Sequence, residues 1–432
     1  MESLRDTIYA LSSAAGRAGV AVVRLTGPQA IEILEKITEN RLPPARRMVV
    51  RKIYSGSDVI DEAMVVWFDE GASFTSEQMV ELHLHGGRAT VSGALALLAT
   101  MPDLRHAEPG EFTRRALESG RMDLVEVEAL ADLINAETEE QRKQALSLMV
   151  GDGHAKAEEW RGKFLHALAL LEASIDFADE EDAPDDVSSE VDELIDALRS
   201  ELSDTIRGSQ VAAQVRDGFH IALVGAPNAG KSTLMNALAK RQAAITSPYA
   251  GTTRDVIDVA CDFDGYPVVL KDMAGLRDAT DPVEKIGISR ALDALANADM
   301  RLFLSSADAP LVGADGLLKP GDLCLQTKCD VYPADNGLAV SAVTGEGLED
   351  LVNRIVEQLS RHDGSSAVFA RERQIECLKA AHQAVNACAD VDEPELAAEL
   401  LRGGVTAMND LFGEIDTEEI LGKIFSQFCI GK

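Results

Sequence analysis

The feature that most constrains this chain is Gly225-Ala226-Pro227-Asn228-Ala229-Gly230-Lys231-Ser232, set between the apolar run Ile221 to Val224 and a helical pattern. A glycine-flanked loop joining a strand to a helix turns backbone N–H groups towards phosphate oxygens at the positive end of the helix. Lys231 can reach β and γ oxygens, and the Ser232 hydroxyl can hold Mg²⁺. Ala229, Gly230 and Thr233 complete the stretch expected to line the phosphates. The loop therefore predicts a bound nucleoside triphosphate, and its flanks predict a mostly parallel α/β sheet around it.

At 432 residues the chain is long enough for two to four domains, each with its own core. No run of 18 or more apolar residues occurs, and Met1-Glu2-Ser3-Leu4-Arg5-Asp6 lacks a basic start followed by an apolar segment. The expectation is a soluble cytoplasmic protein without a membrane segment. The six cysteines, Cys261, Cys324, Cys329, Cys377, Cys388 and Cys429, contain no CxxC pair, which argues against a zinc site or a disulfide framework. Most are expected to be buried, reduced thiols. Lys plus Arg number 41 against 73 Asp plus Glu, a formal charge of −32 that disfavours tight, unaided binding to nucleic acid. This charge fits either simple solubility or a basic partner that supplies the nucleic-acid contact, and composition does not choose between them.

The pattern along the chain predicts a multidomain α/β and α protein. Residues 1–118 alternate short apolar runs with Gly and Pro (Val20 to Leu25, Met48 to Ile53, Met64 to Phe68, Val80 to Leu84) and read as an α+β domain. Residues 119–217 are helical in pattern from about Met122 to Val215, interrupted by the acidic stretch Asp179 to Asp186, an expected interhelical loop. Residues 218–364 alternate strands and helices, as a Ras-like nucleotide domain requires, and residues 365–432 return to helical periodicity over Arg371 to Ala389 and Glu393 to Phe412. Packing the two helical parts together makes the nucleotide domain an insertion whose ends lie close.

Four further stretches follow the phosphate loop in order. Gly251-Thr252-Thr253-Arg254-Asp255 is placed to bring a threonine to Mg²⁺ and the γ-phosphate, and Asp272-Met273-Ala274-Gly275 follows the strand Val268 to Lys271. Asp272 would act on the metal through water, and the Gly275 N–H would sense the γ-phosphate. Thr327-Lys328-Cys329-Asp330 follows the strand Leu323 to Gln326, and the Asp330 carboxylate can accept from guanine N1–H and the 2-amino group. It resembles the NKxD motif of GTPases with Thr327 in place of Asn, while Ser341-Ala342-Val343-Thr344-Gly345 resembles the fifth GTPase motif, with the Ala342 N–H directed to guanine O6. Together they predict a GTPase. Where Ras-like proteins carry a water-orienting glutamine, this chain has Leu276, so another group must orient the water. Glu284 is either that group or a surface-helix glutamate, and Asn228 either ligates a monovalent cation or caps its own loop.

With Asn228, the GTTRD stretch and the ending Phe428-Cys429-Ile430-Gly431-Lys432, the chain resembles the MnmE (TrmE) family of tRNA-modification GTPases along nearly its whole length. Residues 1–118 resemble that family's tetrahydrofolate-binding and dimerisation domain through Thr7 to Ala10, Gly16 to Arg24, Ser73-Phe74-Thr75, Glu81 to Gly87 and Pro109 to Arg114. The resemblance implies a homodimer that joins the FAD protein MnmG in a heterotetramer and meets tRNA mainly through it. There it adds an aminomethyl or carboxymethylaminomethyl group to C5 of the wobble uridine. A 5-formyl- or 5,10-methylene-tetrahydrofolate derivative is the implied carbon source, with Arg24, Glu81, Arg121 and Lys432 as folate contacts. Glu81 suits a pterin N–H pair and the cations suit folate carboxylates. Cys429 is then either a reactive thiol near the folate or a packing residue. The resemblance also implies a K⁺ site at Asn228, Ser247, Tyr249 and Thr252, Mg²⁺ on Ser232 and Thr253, and Glu284 as the catalytic group orienting water, beside Lys231. Departures from the family are Met273, Thr327 and a short segment between Asp299 and Lys328. The competing expectation is a switch or assembly GTPase of the Era or Der kind, which needs no folate.

Overall fold

A computed structural model of the chain describes residues 6–39, 41–176, 187–241, 258–272, 295–310, 318–333, 337–361, 369–391, 393–413, 422, 424, 425, 428, 430 and 431. The chain divides into two compact units, one of Met1–Ala131 with Phe412–Lys432 and one of Asp132–Leu411.

The first unit contains β1 (Thr7–Leu11), β2 (Val20–Thr26), α1 (Ala30–Thr38), β3 (Val49–Ser55), β4 (Asp58–Phe68), β5 (Met79–His85), α2 (Arg88–Ala99), β6 (Leu104–His106), α3 (Glu111–Glu118) and the start of α4 (Leu124–Asn135). Its sheet runs β3-β4-β5-β2-β1-β6, antiparallel except for the β1–β6 pair. Alternation along β2 and β5 buries Ala21, Val23 and Leu25 together with Val80, Leu82 and Leu84, over which Ile33, Leu34 and Ile37 of α1 and Ala94 and Leu98 of α2 pack. The intervening positions, Arg24 and Glu81 among them, face the other side of the sheet. A second small core closes with residues from the far end of the chain: Ile424, Phe425 and Phe428 pack on Leu124, Val127 and Ala131.

In the second unit α5 (Glu139–Met149), α6 (Asp152–Asp176) and α7 (Val187–Asp217) precede the second sheet. That sheet and its helices comprise β7 (Phe219–Gly225), α8 (Lys231–Arg241), β8 (Asp258–Phe263), β9 (Tyr266–Asp272), β10 (Met300–Ser305), β11 (Leu323–Thr327), β12 (Leu338–Val340) and α9 (Leu348–Arg361). α10 (Glu372–Ala389) and α11 (Pro394–Phe412) follow. The sheet order is β12-β11-β10-β7-β9-β8, parallel except for the β8–β9 hairpin at one edge. Parallel strands need helices on both faces, and the near-continuous apolar runs Ile221 to Leu223 and Leu302 to Leu304 supply buried strands. Entry and exit of this inserted region meet, since Ala212 near the end of α7 packs on Ala370 just before α10. α5 is tied to α7 by Gln141 Nε2 on the Arg216 carbonyl (2.9 Å) and Gln144 Nε2 on the Ala212 carbonyl (2.9 Å). Its Glu140 N–H also donates to the Gly265 carbonyl in the β8–β9 turn (3.1 Å).

The cysteines depart from the expectation of mostly buried thiols. Among the described ones Cys261 and Cys388 are buried, Cys329 and Cys377 are half-buried and Cys324 is exposed. Cys324 lies on β11, where successive side chains alternate between faces, so burial of Leu325 turns its neighbour outward. No helix among the described residues is long and apolar enough to cross a membrane.

Candidate functional site: a nucleotide pocket on the second sheet

The phosphate loop follows β7, the central strand. A Cβ on Gly225 would sit 2.6 Å from the Leu304 carbonyl oxygen, so the close approach of β10 demands glycine there. The loop turns through two left-handed positions, Asn228 (φ 65°) and Gly230 (φ 89°), before α8 begins at Lys231. Asparagine tolerates this conformation better than most side chains do. Lys231 is 8% exposed and its ammonium donates to the carbonyls of Gly225 (2.9 Å) and Ala226 (3.1 Å), which aims its charge into the loop.

Parallel pairing of β7 with β9 sets Leu223 opposite Asp272 and brings Asp272 beside the start of α8. The Ser232 hydroxyl donates to Asp272 Oδ2 at 2.5 Å, while Asp272 Oδ1 is buried with no hydrogen-bond partner among the described residues. A hydroxyl and a carboxylate with an unspent buried oxygen form the hard-oxygen donor set that Mg²⁺ takes alongside phosphates. The residues therefore fit this cation.

The base side is assembled at the carboxyl ends of β10, β11 and β12, the edge where open parallel sheets bind ligands. Thr327 is 4% exposed, and its hydroxyl lies 2.7 Å from the Ala229 carbonyl of the phosphate loop and 3.1 Å from the Ser305 carbonyl. Lys328 takes φ 60° and its ammonium meets Asp308 Oδ2 at 2.6 Å, while Ser306 Oγ donates to Asp308 Oδ1 at 2.6 Å. Hydrogen bonding from Lys328, then from Ser306, holds the Asp308 carboxyl below the ordinary carboxylate value. Asp330 is exposed, leaving its carboxylate open to a ligand. Ser341 is fully buried and its Oγ accepts from the N–H groups of Val343 (3.3 Å) and Thr344 (3.1 Å), shaping the turn that carries Ala342.

The fold thus brings Asn228, Ala229, Gly230, Lys231, Ser232, Thr233, Asp272, Thr327, Lys328, Asp330, Ser341 and Ala342 to one sheet edge. Ser247, Tyr249, Thr252, Thr253, Gly275, Leu276 and Glu284 lie outside the described residues, as do Met273, Cys429 and Lys432. Asp308 was not singled out by its sequence. Its signal is a Ser-Ser-Ala-Asp run directly after an apolar strand.

In the first unit Arg24 and Glu81 are directly opposite on β2 and β5. Arg24 Nη2 donates to Glu81 Oε1 at 2.8 Å, and its guanidinium carbon lies 5.5 Å from the Phe74 ring centroid and 5.8 Å from that of Phe112. His83 Nε2 approaches the other carboxylate oxygen at 3.2 Å. The family resemblance implies that both charges contact a folate, and cross-strand register also pairs them with each other. Arg121 has an exposed side chain, and its N–H closes the end of α3 on the Ala116 carbonyl (2.8 Å). The C-terminal residues reach the same unit: Ile430 bridges to Pro109, and a Cβ on Gly431 (φ 99°) would collide with the Leu11 carbonyl, so only glycine fits there.

Two family descriptions match: the MnmE helical domain over residues 124–429 and the GTP-binding protein TrmE N-terminus over residues 7–121. The chain is 49% identical over 434 residues to a tRNA modification GTPase MnmE of Cereibacter sphaeroides (strain ATCC 17025), covering 99% of this chain and 100% of the relative. The chain belongs to the MnmE family. A second MnmE relative, from Rhodopseudomonas palustris (strain BisB18), is 43% identical and covered end to end, as is this chain. Among solved structures, the G domain of the FeoB iron transporter of T. maritima is 28% identical with a TM-score of 0.26, over 32% of this chain and 98% of that one. As an MnmE-family member the chain is a GTPase of the P-loop class, with its phosphate loop and base-recognition loop on the second sheet.

Proposed function

We propose that this chain is a GTP-driven tRNA-modifying enzyme that acts on C5 of the wobble uridine together with an FAD-dependent MnmG-like partner. The reading rests on the full-length match to relatives named tRNA modification GTPase MnmE, in which both the N-terminal and helical regions take part. Residues 218–364 are the hydrolytic module, and residues 1–118 are the folate-binding and dimerisation module. Residues 119–217 and 365–432 are the helical body.

In the hydrolytic module the phosphate-loop amides and the Lys231 ammonium hold the β and γ oxygens, the ammonium using the N–H that its bonds to the Gly225 and Ala226 carbonyls leave over. Ser232 and Asp272 would hold Mg²⁺ with Thr253, and the ion would supply positive charge to the phosphate oxygens. Asp330 accepts from N1–H and the 2-amino group of guanine, and the Ala342 N–H donates to O6. Glu284 orients the attacking water in place of a switch-two glutamine. Asn228, Ser247, Tyr249 and Thr252 would hold K⁺, which would supply the positive charge an arginine finger otherwise brings and favour pairing of two nucleotide domains. In the first unit Arg24, Glu81, Arg121 and Lys432 take a tetrahydrofolate derivative, with Phe74 and Phe112 as an apolar wall beside Arg24. Cys429 is the candidate thiol there.

Calorimetric titration of the full chain with 5-formyltetrahydrofolate tests the folate reading. Binding that is lost in Arg24→Ala is expected, and no binding by the intact chain would leave an Era- or Der-like switch as the better reading. Wobble-uridine analysis of tRNA from cells lacking the protein is expected to show loss of the C5 substituent. GTP hydrolysis is expected to run faster in KCl than in NaCl, and equal rates would remove the cation site from the mechanism.

A further inference from the structure

Thr327 occupies the first position of the base-recognition loop, three residues before Asp330, and it is buried under the phosphate loop. Its hydroxyl carries a single hydrogen, and that hydrogen has two carbonyl acceptors in reach, Ala229 at 2.7 Å and Ser305 at 3.1 Å. The Thr327 side chain also lies 3.8 Å from where a Cβ on Gly230 would sit, so it fills the space directly beneath the loop. Water does not reach so buried a hydroxyl, and turning the hydrogen away would strand a carbonyl. The asparagine of the NKxD pattern differs in stoichiometry: its carboxamide has two hydrogens and can tie down a loop with one while offering the other to a base.

We infer that Thr327 leaves N7 of a bound guanine without a side-chain donor, so that this site selects its base through the N1, N2 and O6 edge alone. The inference rests on the reading of Asp330 as the guanine acceptor. Guanine presents O6 and N7 as neighbouring acceptors, and at this site the Ala342 N–H is directed to O6. The Ala229 N–H of the phosphate loop is already committed to the Ala226 carbonyl at 3.1 Å. Thr327 is thereby a positioning residue for the phosphate loop and a specificity-determining residue by what it does not offer. The site would accept guanine nucleotides altered at N7 that a donor-equipped site discriminates against.

The test compares GTP with 7-deaza-GTP, in which N7 is replaced by a C–H, by competition against a fluorescent guanine nucleotide on the full-length protein with Mg²⁺. A lost hydrogen bond to N7 would weaken binding by about threefold or more. The wild-type protein is expected to bind the two nucleotides within about threefold of each other, and a larger penalty for 7-deaza-GTP overturns the proposal. Thr327→Asn is expected to introduce such a penalty by restoring a second donor, and a folded Thr327→Asn protein with an unchanged ratio assigns the discrimination elsewhere and overturns it too. The wild-type ratio decides the matter even where that variant does not fold. Thr327→Val, which removes the latch, is expected to weaken both nucleotides equally, and a loss confined to GTP in that variant overturns the proposal. Xanthosine triphosphate separates the underlying reading: if it binds the wild type as tightly as GTP, Asp330 is not the guanine acceptor and the inference falls with it.

Discussion

Glu111, in the first turn of α3, shows how one carboxylate organises the first unit. It accepts from Arg105 Nη2 (2.6 Å) and Nη1 (2.8 Å), from Arg115 Nη2 (2.9 Å) and from the Glu108 N–H (2.9 Å). Arg115 is itself buried and passes the connection to Glu77 at 3.0 Å. Burial pushes the Glu111 carboxyl up, but hydrogen bonds from Arg105, the Glu108 N–H and Arg115 outweigh it and hold the group below its ordinary value of 4.5. A folded-state pKa below the unfolded one gives stability that is complete above the unfolded value and lost as pH falls through the folded value. Thermal melts are therefore expected to drop on acidification below about pH 4.5, and Glu111→Gln is expected to flatten that drop. The same substitution costs about 3 kcal/mol at neutral pH by leaving Arg115 undercompensated. A wild-type acid transition retained in Glu111→Gln would place the titration on another group. On the nucleotide side, Asp308→Asn removes the charge that holds Lys328, and GTP affinity is expected to fall by about threefold, a modest loss because the pair is partly exposed. A fluorescent-nucleotide titration reads it, and unchanged affinity would show that the ion pair orders nothing.

At the scale of elements, α5 is held by contacts that no periodicity reveals. Its N-cap Thr138 forms a capping box with Gln141, the Gln141 amide reaches α7, and the Glu140 N–H reaches the β8–β9 turn. Gln141→Ala removes both the cap partner and the bond to α7 and is expected to cost about 1 to 2 kcal/mol. Hydrogen exchange is expected to rise at the start of α5 and at the end of α7, and protection equal to wild type would make those bonds redundant. The elements themselves were legible: short apolar runs mark β2 and β5, helical period marks α10 and α11, and Gly and Pro punctuate the runs. The phosphate loop was legible too, from its glycine-flanked strand-to-helix turn, and the base loop from Thr327-Lys328-Cys329-Asp330, which follows a strand and resembles the NKxD motif. Thr327 read as a departure from the guanine motif, whereas the structure gives its hydroxyl a tie to Ala229. Asp308, the pairing of Arg24 with Glu81 and the docking of Gly431 on Leu11 stayed hidden because each depends on which strands and loops become neighbours.

The second unit carries its nucleotide domain as an insertion, with Ala212 and Ala370 packed together at the junction. Loop closure across a short linker is cheap, so replacing residues 218–367 by about eight Gly and Ser residues is expected to leave a cooperatively melting helical body while abolishing nucleotide binding. Loss of the cooperative melt in circular dichroism would show that the sheet supports the helices. The first unit's second core has a different consequence, one that belongs to the ribosome. Leu124 and Val127 are made about 300 residues before Ile424, Phe425 and Phe428, the side chains that cover them. At about 5 to 20 residues per second, that apolar face waits about 15 to 60 s in the cell for its lid, which makes it a natural handhold for a chaperone during synthesis.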